Sequence, residues 1–279
     1  MKKILTKVIT DKIRSAYINS CVIADRDLIA LLQKAMKTET NKRARNVLKL
    51  ILENCRIAKI KKRPICQDTG MAVVFVEIGQ QVVITGGDLE AAIHQGIGLA
   101  CREGYLRASV VEPLSRKNTG HNAPAVIYTK VVPGNSLKMT VIPKGFGSEN
   151  MGQVKMLKPG AGTEAIIEFV TESVKKAGAN PCPPLIIGVG IGGTLDKAAI
   201  LAKEALFGIG KSSKDEILIR TLEQRLLLAV NKLNIGPAGL GGKNTALKVK
   251  VKTYPTHIAG LPVAVNIGCW CHRAKTVII

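Results

Sequence analysis

Apolar residues fall at helical spacing through residues 24–59, which predicts two helices. The second, over residues 41–59, puts Val47, Leu48, Ile51, Leu52 and Cys55 on one face. A turn, RPICQDTG, leads into two strand-like runs at 71–78 and 81–84, separated by Gly79-Gln80. Gly87-Asp88 opens a helix that continues to about Arg102, with Asp88 as its N-cap. A polar loop, SRKNTGHN, precedes a strand pair at 125–132 and 137–142, joined by Pro133-Gly134-Asn135-Ser136. After the loop 143–152, a helix over 163–177 is closed by Gly178. The segment NPCPPLIIGVGIGGT then runs from loop to strand to a helix starting near Thr194. A helix over 215–233, a glycine-rich loop IGPAGLGGK, and strands at 247–253, 261–267 and 276–279 complete the reading. The pattern predicts an α/β chain of mixed α+β type, with helices around mixed sheets. No linker or repeat divides it, so residues 1–279 are expected to form one domain or two lobes of one domain. The closing apolar run TVII would make a poor free edge. It should be tucked into a sheet or covered by another polypeptide.

Composition narrows the class. With 279 residues, 46% of them hydrophobic, the chain can bury a sizeable core. No run of about 18 apolar residues is present, so no membrane association is expected. The first residues are interrupted by Lys7, Asp11, Lys12 and Arg14 and lack the apolar region of a signal peptide, which predicts a cytoplasmic protein. Forty-one Lys and Arg stand against 20 Asp and Glu, a formal charge of +21. Such an excess suits nucleic acid, but the basic residues are spread along the chain. Aromatics at 3% also leave few stacking platforms, so no nucleic-acid partner is expected. The seven cysteines are odd in number and widely spaced, which argues against a disulfide framework. Cys55 and Cys101 fall within helical patterns and read as core.

Two motifs bear on chemistry. Gly188-x-Gly190-x-x-Gly193 follows an apolar strand and precedes a helix, with Asp215 about twenty residues on, as a dinucleotide fingerprint would. The same turn serves any anion seated on a helix N-terminus. Cys66, Cys182 and Cys269 instead lie in loops rich in Gly and Pro, where irregular backbone leaves thiolates open to an iron–sulfur cluster. Three ligands would leave one iron of a [4Fe–4S] cube open to act as a Lewis acid on a substrate hydroxyl. Zinc would ask for a tighter cysteine pair.

The series CQDTG, NTG, GFGSEN, CPP with GVGIGGT, GLGGK and HIAGLPVAVNIGCW, in that order, resembles the N-terminal domain of class I iron–sulfur fumarate hydratases and L-tartrate dehydratases. The resemblance implies a [4Fe–4S] cofactor on Cys66, Cys182 and Cys269. It sets the third ligand twelve positions after an active-site histidine, and 269 − 257 = 12. Cys271, where the family has small residues, leaves a second thiol as an alternative third ligand. The resemblance also implies catalytic roles for Asp68 and His257. It assigns substrate contacts to Gln67, Arg107 and Gly147, with the Arg107 guanidinium gripping a carboxylate. Arg273 aligns with a family arginine without an assigned role. The implied reaction is reversible hydration of the small dicarboxylate fumarate to L-malate, with L-tartrate dehydration as the alternative. A second domain completes the site in single-chain relatives, so the implied partner is a β subunit, in a heterotetramer of two α and two β subunits. Rivals from other classes are a basic nucleic-acid-binding or scaffold protein and a nicotinamide-linked oxidoreductase.

Overall fold

The computed structural model describes residues 1–210 and 216–279. The chain begins with β1 (Lys2–Leu5), α1 (Thr6–Val22), α2 (Arg26–Thr38) and α3 (Lys42–Lys61). There follow β2 (Met71–Gly79), β3 (Val82–Thr85), α4 (Leu89–Glu103), β4 (Val126–Val132) and β5 (Leu137–Lys144). Next come α5 (Phe146–Glu149), β6 (Gln153–Leu157), α6 (Gly162–Ala177), β7 (Leu185–Gly192) and α7 (Leu195–Phe207). The remainder is α8 (Glu216–Asn231), β8 (Ala246–Tyr254), β9 (Leu261–Gly268) and β10 (Lys275–Ile278). The fold is mixed α and β, as the patterning implies. Asp215 lies outside the described residues.

The chain divides into two compact units. The first comprises Met1–Asp25, Asn54–Phe146 and Arg273–Ile279, the second Arg26–Glu53 and Gly147–His272.

In the first unit a sheet runs in the order β10-β5-β2-β4, beside a separate parallel pair of β1 and β3. The strands at 125–132 and 137–142 are therefore not a hairpin, because β2 lies between them, parallel to β4 and antiparallel to β5. The reason is burial. Residues 72–76 of β2 are all buried, which suits a central strand paired on both edges. The Pro133–Ser136 link wraps the end of β2: Gly79 N–H donates to Ser136 O (2.9 Å) and Gln81 N–H to Gly134 O (2.9 Å). A Cβ at Gly79 would lie 2.4 Å from Gly134 O. Nor do β2 and β3 pair, since β3 takes β1. β10 is tucked against β5, and Ile279 exchanges both backbone hydrogen bonds with Leu137. Helix α1 was not legible in the interrupted N-terminal pattern. It buries Ile9, Ile13 and Tyr17, one turn apart on one face, against Ile93 and Ile97 of α4 and against the sheet. Gly96 permits this close crossing, as a Cβ there would sit 2.8 Å from Thr10 O.

The second unit has the sheet order β6-β9-β7-β8, with β8 parallel and β9 antiparallel to β7. Alternation along β7 sends Leu185, Ile187, Val189 and Ile191 into a core with α6 and α8 residues such as Val170 and Leu226. The intervening Gly188 and Gly190 face α7 on the other side. A Cβ would meet Ala202 O at 2.1 Å from Gly188, and Ala198 O at 2.0 Å from Gly190. These glycines let a helix lie directly on the strand. Gly190→Ala should accordingly lower unfolding free energy by about 3 kcal/mol or more, as overpacking of a closed contact does. Urea denaturation checks this; a midpoint equal to wild type would mean that α7 can lift off β7 freely.

Candidate functional site

Burial sorts the cysteines. Cys21, Cys55, Cys101 and Cys271 are buried, Cys66 and Cys269 are half-buried, and Cys182 is exposed. Burial pushes the Cys21 and Cys55 thiols up to about 11, the Arg273 charge opposing it at Cys21. The Cys101 thiol is likewise raised by burial and donates to Leu106 O (3.1 Å). Thus the three loop cysteines are the three of seven that reach solvent, and Cys269 rather than its neighbour Cys271 does so.

Cys66, Gln67 and Asp68 belong to the first unit, on a turn whose next two residues, Thr69 and Gly70, are buried. Gly70 has φ +75°, and a Cβ there would strike the Lys144 backbone at 2.7 Å. The Asp68 carboxylate accepts from Gly70 N–H through Oδ1 (2.9 Å) and from Phe146 N–H through Oδ2 (2.9 Å). It thereby ties its own turn to the start of the GFGSEN motif. The Arg273 guanidinium donates to Asp68 O, a contact for the arginine that the motif series left without a role. Thr69 Oγ1 donates to Arg107 O (3.0 Å), so the Arg107 backbone lies beside this turn while its side chain is exposed.

The second unit gathers Gly147, Cys182 and Cys269 at the N-terminal end of β7. The β7–β9 register pairs Ile186 with Gly268, which sets Cys269 beside the entry to β7. Trp270 N–H donates to Cys182 O (3.3 Å). Cys182 holds a left-handed φ of 55°, uncommon for a residue with a Cβ and frequent at working sites. A Cβ at Gly147 would lie 3.6 Å from Asn180 O, so that exposed backbone runs past the same loop. Glu149 of GFGSEN accepts from Asn266 Nδ2 (3.1 Å), three residues before Cys269, and pairs with Lys203 of α7. Ala238 N–H donates to Pro183 O (2.8 Å), joining the GLGGK loop to the cysteine loop. That loop is pinned in turn by buried Glu39, which accepts from Lys243 N–H (3.3 Å) and Asn244 Nδ2 (2.8 Å).

His257 is not brought to this end. It sits in an exposed loop held to the turn after β7, where Gly193 N–H donates to Pro255 O (3.2 Å) and Thr256 Oγ1 to Gly193 O (3.0 Å). The twelve positions to Cys269 contain all of β9, eight extended residues. At about 3.3 Å per residue the strand itself spans roughly 25 Å between the two loops. The ring's Nδ1 accepts from Ala259 N–H (3.2 Å), which puts the proton of the neutral tautomer on Nε2. The same geometry settles Gly188-x-Gly190-x-x-Gly193: its first two glycines receive α7 and the third ties down the His257 loop. Thr194 Oγ1 at the α7 N-terminus donates to Asp196, so a carboxylate already occupies that end.

Among the described residues, no group of three or more His, Cys, Asp or Glu side chains is arranged to hold a single metal ion. A cubane cluster asks for something different, since each of its cysteines binds a separate iron. Thiols on irregular loops, reaching solvent, have the donor chemistry for it.

The sequence model of the fumarate hydratase (fumerase) family matches residues 10–278. The chain belongs to that family. It is 40% identical over 274 residues to a Methanocaldococcus jannaschii protein named "Putative L(+)-tartrate dehydratase subunit alpha", covering 95% of each chain. It is 31% identical over 257 residues to an L(+)-tartrate dehydratase subunit alpha of Escherichia coli O157:H7, covering 91% of this chain and 84% of that one. The protein of that name in Escherichia coli K12 is 30% identical over 257 residues. The chain is therefore a hydro-lyase of the fumarate hydratase family, and no helix in the described residues is long and apolar enough to cross a membrane.

Several residues that shape the site carried no signal of their own. Tyr17 and Asn122 act through buried hydrogen bonds to distant backbone, Glu39 by accepting from distant backbone N–H, and Lys203 by pairing with the Glu149 side chain, none of which local spacing reveals. In the metal-free chain, alkylation followed by mass spectrometry should modify Cys182 first, then Cys66 and Cys269. Cys21 and Cys55, with about one thiolate in a thousand at pH 8, should react last; early labelling of Cys21 would contradict the burial order. Because the folded chain holds the Cys21 and Cys55 protons more tightly than the unfolded chain, their contribution to stability is complete below about pH 9. It is lost as pH rises through 11. The urea midpoint should fall across that window, and fall less in Cys55→Ala.

Proposed function

We propose that this hydro-lyase is the α subunit of an iron–sulfur enzyme that hydrates fumarate to L-malate reversibly. The observation that carries this is the division of the cysteines. Cys66, Cys182 and Cys269, the three of the motif series, reach solvent, while the other four are buried. When bound to these three, a [4Fe–4S] cluster would supply one iron without a protein ligand, a Lewis acid for the substrate hydroxyl.

The chain's own residues do the rest. Arg107, exposed and with its backbone fixed to Thr69, offers a planar fork to one substrate carboxylate. Gln67 lies on the same turn and donates to the substrate's oxygens. Gly147 lets backbone approach closely where a side chain would intrude. Water adds across the double bond, its hydroxyl to one carbon and a proton to the other. Asp68 presents a carboxylate already oriented by two backbone amides, next to the proton-transfer step, with the main base on a β subunit. That partner is supported by the relatives' names, each of which is an α subunit. An assembly of two α and two β subunits in the cytoplasm goes with this reading. His257 remains a proposed catalytic group, carried on the loop that leads into β9.

A second reading, dehydration of L-tartrate, is favoured by the relatives' printed names. Turnover of fumarate, L-malate and L-tartrate by the anaerobically assembled αβ enzyme decides between them. Fumarate and malate activity is expected; activity on tartrate alone would overturn the choice. Wild type should carry about four irons and Cys66→Ser should lose them. Arg107→Ala should lower kcat/KM at least about 100-fold, mainly through KM, in steady-state kinetics.

A further inference from the structure

Gln67 and Arg107 have exposed side chains, so no packing of their own fixes the distance between them. Only the backbone beneath them can. That backbone is held by the Thr69 hydroxyl on Arg107 O (3.0 Å) and by one buried amide. Asn122 is 0% exposed, and its Oδ1 accepts from Ser109 N–H (2.9 Å), two residues after Arg107. Its Nδ2 donates to Gly70 O (3.0 Å), at the end of the QDTG turn, and to the Tyr17 hydroxyl (3.2 Å) on α1. The Tyr17 hydroxyl in turn donates to Thr69 O (3.1 Å). Both donors and one acceptor site of the amide are thus used, on three segments distant in sequence.

The loop 107–122 doubles back on itself through Asn118 Nδ2 to Ala108 O (3.0 Å) and Thr119 N–H to Val110 O (3.0 Å). Asn122 closes it at the base. Its φ of 58° is a left-handed conformation that asparagine tolerates better than most residues. Aspartate would keep the shape but lose both donors, setting a carboxylate against Gly70 O. Serine would not reach all three partners.

We propose that Asn122 is a positioning residue for substrate binding, which fixes the spacing between the Gln67 turn and the Arg107 segment. The inference rests on the roles given above to Gln67 and Arg107. It distinguishes a group that sets substrate geometry from one that merely adds stability, and Tyr17 supplies the contrast. Tyr17→Phe removes buried hydrogen bonds, the one to Thr69 O and the one accepted from Asn122 Nδ2, yet leaves the Asn122 bonds to Ser109 and Gly70 in place.

The test compares Asn122→Asp, Asn122→Ser and Tyr17→Phe in the anaerobically assembled αβ enzyme, together with amide hydrogen exchange of the full α chain. Asn122→Asp and Asn122→Ser should raise KM for the dicarboxylate that wild type turns over by about tenfold or more, with a smaller fall in kcat. Iron and sulfide content should match wild type, and amides 107–110 should exchange faster. Tyr17→Phe should lower the urea midpoint while KM stays within about twofold. Wild-type KM and wild-type exchange in both Asn122 variants would overturn the proposal. So would an equal rise in KM in Tyr17→Phe at matched loss of stability, since that would mark a purely structural role. If the Asn122 variants fail to assemble, exchange of residues 107–110 in the α chain alone still decides whether the amide holds this frame. A wild-type enzyme without turnover of any of the three dicarboxylates would defeat the functional reading instead, and the exchange result would stand apart from it.

Discussion

A backbone carbonyl of α7 approaches β7 to within the space that a methyl group would need, and it does so twice, at Gly188 and Gly190. With no side chain on that face, the helix sits on the strand itself. The opposite face of the same strand carries Leu185, Ile187, Val189 and Ile191 into the core with α6 and α8. β7 is thus clamped from both sides, and its two ends become fixed reference points. One end receives Cys182 and, through the register with β9, Cys269; the other receives the loop of His257. Lys203 of α7 reaches Glu149, so the helix also orients the motif that contains Gly147. A glycine pattern that reads as a nucleotide signature is here a packing device on the strand that spaces the cysteine loops from the loop of His257.

The first unit solves a different problem, holding a polar turn inside an apolar core. Thr69 and Gly70 are buried, and their carbonyls need partners. Tyr17 and Asn122 meet that need, and burial raises the Tyr17 hydroxyl well above its ordinary value, so it remains a proton donor. The Asp68 carboxylate and the buried Arg273 guanidinium secure the same turn through Gly70 N–H and Asp68 O. Fixed backbone is thus combined with exposed side chains at Gln67 and Arg107.

The helices with one clear apolar face could be read from residue spacing, and Asp88 capped its helix as expected, accepting from Ala91 N–H at 2.7 Å. α1 escaped notice because Lys7, Asp11, Lys12 and Arg14 mask a buried stripe of Ile9, Ile13 and Tyr17. β6 escaped because an exposed edge strand of five residues has little apolar pattern to show. Strand pairing was the least legible feature: the four-residue link from β4 to β5 looks like a hairpin turn, yet a third strand fits between them. For the candidate site, the motif order singled out Cys66, Cys182 and Cys269, and these three lie nearer solvent than the other four cysteines. Between His257 and Cys269 lies the whole of β9. Sequence counts positions, and a strand converts twelve of them into distance.

The position of β10 also has a consequence in time. Its hydrogen bonds to β5 complete a sheet whose other strands lie more than a hundred residues earlier in the chain. During synthesis, β5 must wait with one edge open while all of residues 147–272 emerge from the ribosome. The second unit's later segment can begin to collapse within that interval, whereas the first unit closes only when its last strand arrives. An early-made edge that waits is a natural place for wrong pairings to start. The charged ends of β5, Lys138 and Lys144, flank it during that wait. The first unit, begun earliest in the chain, is complete in sequence only when residues 273–279 are made.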